Sequence, residues 1–373
     1  RAVSKKRIDI HGVVSIRFKI VGIKNESVIT DAEGDGIQLR KKKIGTDSVA
    51  AVVMKKFQLS QTEEADGGEI GKIFYACASP VLSETKIIKG KILLKGEAVL
   101  KVMYCSATGE NESVCVNYNL PFSEIIDIEN IDDSCKVSVG FNVDQVQAEP
   151  KTDNDGEYKY LNLGCDICAV VTAYKTEDIC VITDSYSTQK EIDAKYKTET
   201  FTQILQNLND SIICRESVDL PSMNPQRIYA AIAQSPEAKS RFDADKMTVT
   251  GKIPLKFILI DGEGTPTFCE REAEFEYSRS IDAKGGNLHC DPKLFLTGYS
   301  CTLTSDGRAE FKAEMNISAD ITETSECRTL VSLKTMENSE LKKRHSSLVI
   351  CFCNGGEKIW DIARKYNTVS YTH

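Results

Sequence analysis

Apolar and polar residues alternate with a period of two along most of this chain. The stretches KIIKGKILLKGEAVLKVMYC (86–105), KVSVGFNVDQVQAE (136–149) and AEFKAEMNISADITETS (309–325) all show it, with valine, isoleucine and aromatic residues on the apolar phase. A strand turns successive side chains to opposite faces, so this pattern predicts half-buried strands. Turn pairs separate the runs: Thr108-Gly109, Asp155-Gly156, Asp261-Gly262, Gly285-Gly286 and Asp306-Gly307. The expected fold is mainly β, built from antiparallel sandwiches or open barrels. One stretch departs from the period: in ETFTQILQNLND (199–210), Phe201, Ile204, Leu205 and Leu208 stand at helical spacing, which predicts a short linker helix.

The pattern also repeats. VITD occurs at 28–31 and again at 181–184, and further anchors keep nearly the same offset. Ile29 and Ile182 are 153 residues apart, and Ile182 and Leu333 are 151 apart. Asp155-Gly156 and Asp306-Gly307 share the offset of 151. Gly96 with Leu100–Tyr104 precedes Gly251 with Leu255–Leu259 by 155, as Ile73-Phe74 precedes Ile228-Tyr229. Gly140-Phe141 and Gly298-Tyr299 stand 158 apart, and Pro80 and Pro236 156 apart. Units of about 150 residues follow: one from 57 to 205, a second from 213 to 345, and residues 1–50 matching only the rear half of a unit. The missing front half either lies outside these residues or comes from another subunit by strand complementation. The first alternative avoids leaving apolar strand faces uncovered.

Composition narrows the function. The 373 residues carry 47 basic and 55 acidic side chains, a net charge of −8, which argues against a nucleic-acid partner held through phosphates. No window holds the ~18 continuous apolar residues of a membrane helix, and the first residues lack the apolar core of a signal peptide, so the expectation is a soluble protein made in the cytosol, without membrane insertion. Phosphate-loop, GxSxG and HExxH motifs are all missing from the sequence, which predicts a protein that is not an enzyme and needs no cofactor. The glycine-bearing AEGDGIQLRKKK (32–43) reads as a surface hairpin, and the acidic QTEEADGGE (61–69) and EPKTDNDGE (149–157) as solvated turns. Fourteen cysteines are dispersed, with four histidines. Cys165 and Cys168 form a CxxC within an alternating run, where residues three apart face opposite ways; Cys351 and Cys353 share one strand face. No metal site is expected from either pair.

Beyond the second unit, HSSLVICFCNGGEKIWDIARKYNTVSYTH (345–373) reads as a strand (Leu348–Cys353), a Gly-Gly turn and a helix whose face carries Ile359, Trp360, Ile362, Ala363 and Tyr366 and which ends at Asn367. The segment GGEKIWDIARKYNT resembles the front of a LysM module. That resemblance implies binding of N-acetylglucosamine polymers such as peptidoglycan, with Gly356, Glu357, Lys358 and Ile359 in the binding turn. The rear half of such a module is not in these residues.

The units themselves resemble the SPOCS family of spore-coat proteins, on VITDAEGDGIQLRKK (28–42), NLPFSEIIDIE (119–129) and VITDSYSTQKEI (181–192). In the third copy the marker has decayed to LVSLKTMENSE (330–340). The resemblance implies a non-catalytic structural or morphogenetic protein, made in the mother-cell cytosol and destined for the spore coat or surface, whose partners are copies of itself or other coat proteins. A wall protein binding peptidoglycan through the LysM-like end and a subunit of a spore-surface filament are the alternatives. Cys351, Cys353, Cys165 and Cys168 are the candidate thiols for cross-linking after spore release.

Overall fold

The computed structural model describes residues 2–4, 7–8, 27–66, 68–107, 113–129, 131–220, 225–243, 245–282, 287–340, 350–353 and 355–369. The anchors at Thr108-Gly109 and Gly285-Gly286, and most of the amino-terminal half-unit, lie outside them. A short ladder joins β1 (Ala2–Ser4) to β2 (Arg7–Ile8).

Six strands then make the first repeat: β3 (Ile37–Glu64), β4 (Ile70–Ile88), β5 (Lys91–Ser106), β6 (Ser113–Asp127), β7 (Cys135–Lys151) and β8 (Tyr160–Ser187). They form two antiparallel sheets, β3-β8-β7 and β4-β5-β6. One core lies between these sheets and contains Ile92, Leu94, Leu100, Tyr104, Leu120, Phe122, Leu161, Leu163 and Ile167. Each such buried side chain contributes about 1.5–3 kcal/mol on transfer from water, which is what the period-two pattern secures. The central strand β8 is covered on both faces over much of its length, so its inner half reads as nearly continuous apolar sequence.

The second repeat uses β9 (Lys190–Asp219), β10 (Arg227–Ala233), β11 (Glu237–Asp243), β12 (Lys246–Ile260), β13 (Pro266–Ser280), β14 (Asn287–Cys290), β15 (Lys293–Leu303) and β16 (Arg308–Glu340). Here β10 and β11 lie end to end along β12, interrupted at Ser235-Pro236, and occupy the place of β4 with its Pro80. In the same way β14 and β15 together replace β7 along the central strand β16. The second core contains Leu255, Phe257, Leu259, Phe275, Phe311, Met315, Ile317 and Ile321. The duplication seen in sequence is therefore a duplication of strand order, and both sandwiches remain open, without barrel closure among the described residues.

Two glycines show why particular anchors recur. A Cβ on Gly96 would stand 2.1 Å from the Val81 carbonyl and 2.6 Å from the Phe122 ring; on Gly251 it would stand 2.3 Å from the Glu237 carbonyl and 2.5 Å from the Phe275 ring. In each repeat a phenylalanine on the neighbouring strand lies over the bare backbone, leaving no room for a side chain.

The helix expected over 199–210 is instead strand. Residues Lys190–Asp219 run unbroken as β9, paired along β16. Ile204 pairs with Thr322 and Gln206 with Ile321, so Leu205 is the extra residue of a bulge. On its amino-terminal side Phe201 belongs to a small cluster with Ile44, Val181 and Cys327; on its carboxyl-terminal side Leu208, Ile212 and Cys214 face the second core. Shifting the strand phase by one residue produces the spacing of three and four that imitates a helix. The ribbons β3–β8 and β9–β16 thus reach beyond their own sandwiches and meet each other. At that junction the Asp47 carboxylate is buried and accepts hydrogen bonds from Thr176 Oγ1 (2.6 Å), the Ile204 amide (2.6 Å) and Lys136 Nζ (3.2 Å), so one charge joins four strands.

Candidate functional site

The second marker, VITD, lies near the end of β8, where the pairing passes from Lys41↔Ile182 to Arg40↔Asp184. Thr183 is the bulged residue. Asp184 follows it and is 9 % exposed, an unusual environment for a carboxylate unless its charge is compensated.

The compensation comes from the helix α1 (Ile359–Tyr366). Trp360 donates its indole N–H to Asp184 Oδ2 at 2.8 Å, and Arg364 Nη1 approaches Oδ1 at 2.9 Å and Oδ2 at 2.8 Å. Positions 360 and 364 are one turn apart, so both side chains leave the same face of the helix, and Ala363 of that face is buried. Around the carboxylate, the Ser185 amide donates to Oδ1 at 3.0 Å and the Tyr196 hydroxyl approaches it at 3.4 Å. The Tyr186 ring meets the Trp360 ring edge-on, with centroids 5.0 Å apart, and its hydroxyl donates to the Thr368 carbonyl at 2.6 Å. The Arg328 guanidinium stacks 3.9 Å from the Tyr196 ring centroid and completes the wall. Asn367, in the left-handed conformation (φ 48°), ends the helix and turns Thr368 back so that its amide reaches the Ala363 carbonyl.

Other copies of the marker lack this set. Asp31, the counterpart of Asp184, is exposed and pairs with Lys41 at 2.8 Å, while Glu33 and Lys43 stand where Tyr186 and Tyr196 would be needed. In the third copy Thr335 replaces the aspartate. The middle repeat alone has the residues that receive the helix.

The sequence-selected positions are distributed differently. Gly356, with φ of 95°, Glu357, Lys358 and Ile359 lead into α1 and remain exposed, on a part of the chain that the docking does not cover. Of the strand expected over 348–353, residues 350–353 pair with no neighbour among the described residues, and the rest lies outside them. Cys351 and Cys353 are exposed there, beside Phe352 at 92 % exposure. Cys165 and Cys168 are both buried in β8, Cys165 facing the first core, and burial pushes the Cys165 thiol up to about 11. All fourteen cysteines are free. No group of three or more metal-binding side chains occurs among the described residues, and no described helix is long and apolar enough to cross a membrane.

Comparison with protein families matches residues 69–151, the segment from the start of β4 to the end of β7, to the family described as SipL, SPOCS domain. Over residues 69–151 the chain is thus similar to a SPOCS domain, a family that suggests a sporulation-related protein. Comparison with curated proteins and with solved structures returns no match.

Proposed function

We propose that this protein is a non-catalytic structural component of the spore envelope that assembles through a sheet edge with copies of itself or with other coat proteins. The observation that carries this reading is β6. Among the described residues it pairs only with β5, and from Ser113 to Ser123 (SVCVNYNLPFS) it carries no charged residue, Pro121 being its one position without an N–H. An edge strand with unpaired N–H and C=O groups and no charge is a template for another strand. The corresponding strand of the second repeat, β13, is protected: Glu270, Arg271, Glu272, Glu274 and Glu276 line it, and Lys252 and Lys256 pair with Glu272 and Glu270 from β12. The two halves of the duplication differ in edge chemistry, and this difference gives assembly a direction.

Electron microscopy and light scattering of the purified full chain test this reading. Oligomers or filaments that disappear in N117K/N119K, with the β signal of the fold retained, are the expected outcome. Monomers at all concentrations, alone and mixed with other coat proteins, reject it.

A second reading, glycan binding, has one observation in its favour: Gly356, Glu357 and Lys358 stay exposed while the opposite end of the module is occupied by Asp184. Co-sedimentation with peptidoglycan decides it, since only this reading predicts loss of binding when residues 346–373 are deleted.

A further inference from the structure

The middle of β5, residues 98–104, is covered on both faces. Leu100, Val102 and Tyr104 of β5 face the first core, yet Val99, Lys101 and Met103 on the opposite face are also buried, because β10 and β15 of the second repeat lie against them. Between the repeats remains a cavity of about 190 Å³.

Two polar groups in this cavity lack ordinary partners. Lys101 is 5 % exposed, and among the described residues no carboxylate pairs with it. Its ammonium lies 3.0 Å from the centroid of the Tyr299 ring and 3.4 Å from the Tyr299 carbonyl, beside the Cys115 thiol. The Tyr299 hydroxyl lies beside the backbone of Ala233, whose N–H is no acceptor, and is a buried O–H without an acceptor. Burying a cation without a counter-charge costs several kcal/mol, and an unsatisfied hydroxyl adds to that. The rest of the lining is mixed, with Val99, Phe141, Val143, Leu294 and Leu296 forming an apolar side and Ser79, Ser235 and Thr297 a polar one.

We infer that this cleft binds a small carboxylate with an apolar or aromatic body, its oxygens taking the missing partners of Lys101 and the Tyr299 hydroxyl while its hydrocarbon part fills the space between the repeats. The fit is one of size and of chemistry. An apolar cavity of roughly 150 Å³ suffices for benzene, and this one is somewhat larger and has a donor pair at one side. An anion there also removes the conflict at Lys101: burial holds its amine below the usual lysine range, and a neighbouring carboxylate favours the charged form again. Because the lining residues come from both repeats, the ligand would fix one repeat against the other.

Benzoate is the probe, applied to the full chain by calorimetry and by the methyl resonances of Val143 and Leu296. Saturable binding is expected, with benzyl alcohol (same body, no charge) and acetate or phosphate (charge, no body) at least tenfold weaker. Lys101→Met should weaken benzoate at least tenfold. Tyr299→Phe, which removes only a hydroxyl and serves should the lysine variant not fold, should weaken it severalfold. Undisturbed methyl resonances up to the solubility limit, equal binding by the folded variants, or phosphate binding better than benzoate would each overturn the assignment.

Discussion

Trp360 and Asp184, 176 residues apart in sequence, share a hydrogen bond of 2.8 Å that holds the carboxyl-terminal helix against the marker of the middle repeat. The helix spans eight residues and its N-cap Lys358 makes no side-chain cap bond, so its own propensity gives it little stability. Tertiary contact must supply the rest, and Asp184 is the centre of that contact. Asp184→Ala is expected to release the helix while leaving both sandwiches folded, losing about 1.5–3 kcal/mol for each hydrogen bond to the charged group. The chain has one tryptophan, so its fluorescence reports the event directly: a red shift and easier quenching in the variant, with the β-sheet melting transition unchanged. Arg364→Ala should have a smaller effect, because Arg364 is half exposed and its exposed portion is screened by water. An emission spectrum that Asp184→Ala does not move would mean that Trp360 is held by something else.

The paired glycines lead to a sharper structural expectation. A methyl group at Gly96 collides with a backbone carbonyl on one side and a phenylalanine ring on the other, and backbone cannot yield as a flexible side chain can. Gly96→Ala should cost about 3 kcal/mol, the upper end of the usual range for overpacking. Gly262→Ala is the control: its nearest neighbour is the Gln226 amide at 3.5 Å, and the substitution should be close to neutral. Chemical denaturation of the two variants checks the contrast, which fails if both midpoints move equally.

How far the sequence carries toward this structure depends on distance along the chain. The alternating runs around Leu94, Leu120 and Phe311 are local, and they foretell the strands and their buried faces. The offset between Gly96 and Gly251 reveals the duplication, although the phenylalanine over each glycine shows only once β5 has its neighbour β6. Leu205 misleads because a bulge changes strand phase, and over five residues a phase change and a helical turn place apolar residues alike. The socket is not legible at all from the motif: VITD occurs with an aspartate in two copies, and only one receives the helix. A signal was nevertheless present. Tyr186 and Tyr196 accompany Asp184, while Glu33 and Lys43 accompany Asp31, an aromatic-for-charged exchange that solvated strand ends do not require.

Thiol accessibility divides the four candidate cross-linking cysteines. Cys351 and Cys353 lie in exposed chain, whereas Cys165 and Cys168 are 2 % and 6 % exposed within β8. A disulfide between molecules needs an accessible thiolate to start exchange, and the Cys165 thiol is both covered and raised to about 11. Oxidation of the assembled protein should therefore give covalent multimers that a reductant dissociates and that C351S/C353S reduces, with the exposed Cys115 and Cys180 left as the remaining accessible thiols. C165S/C168S should leave them unchanged. Non-reducing electrophoresis reads both, and multimers that survive complete reduction would show that covalent bonds through sulfur play no part.

Alkaline pH should unfold the sandwiches as it draws the protons from their buried thiols, after the exposed thiols have already titrated. Burial pushes the Cys165 and Cys290 thiols up to about 11 from an ordinary value of 9.0, and Cys301 up to about 12 through burial and then the nearby Glu310. Folded thiols with raised values hold protons that the unfolded chain gives up sooner. Their contribution to stability is thus complete below pH 9, and it declines as pH rises toward 11 and 12, because the unfolded state gains charge that the folded state resists. The melting temperature should be level up to about pH 9 and fall steeply above it, with thiolate absorbance from these sites appearing together with unfolding. C290A/C301A removes two of the groups without introducing a polar atom, so its melting temperature should fall less steeply over the same window. Equal slopes in the variant and the parent protein would assign the alkaline loss to other groups, such as the buried Tyr118 hydroxyl, which burial also raises to about 12.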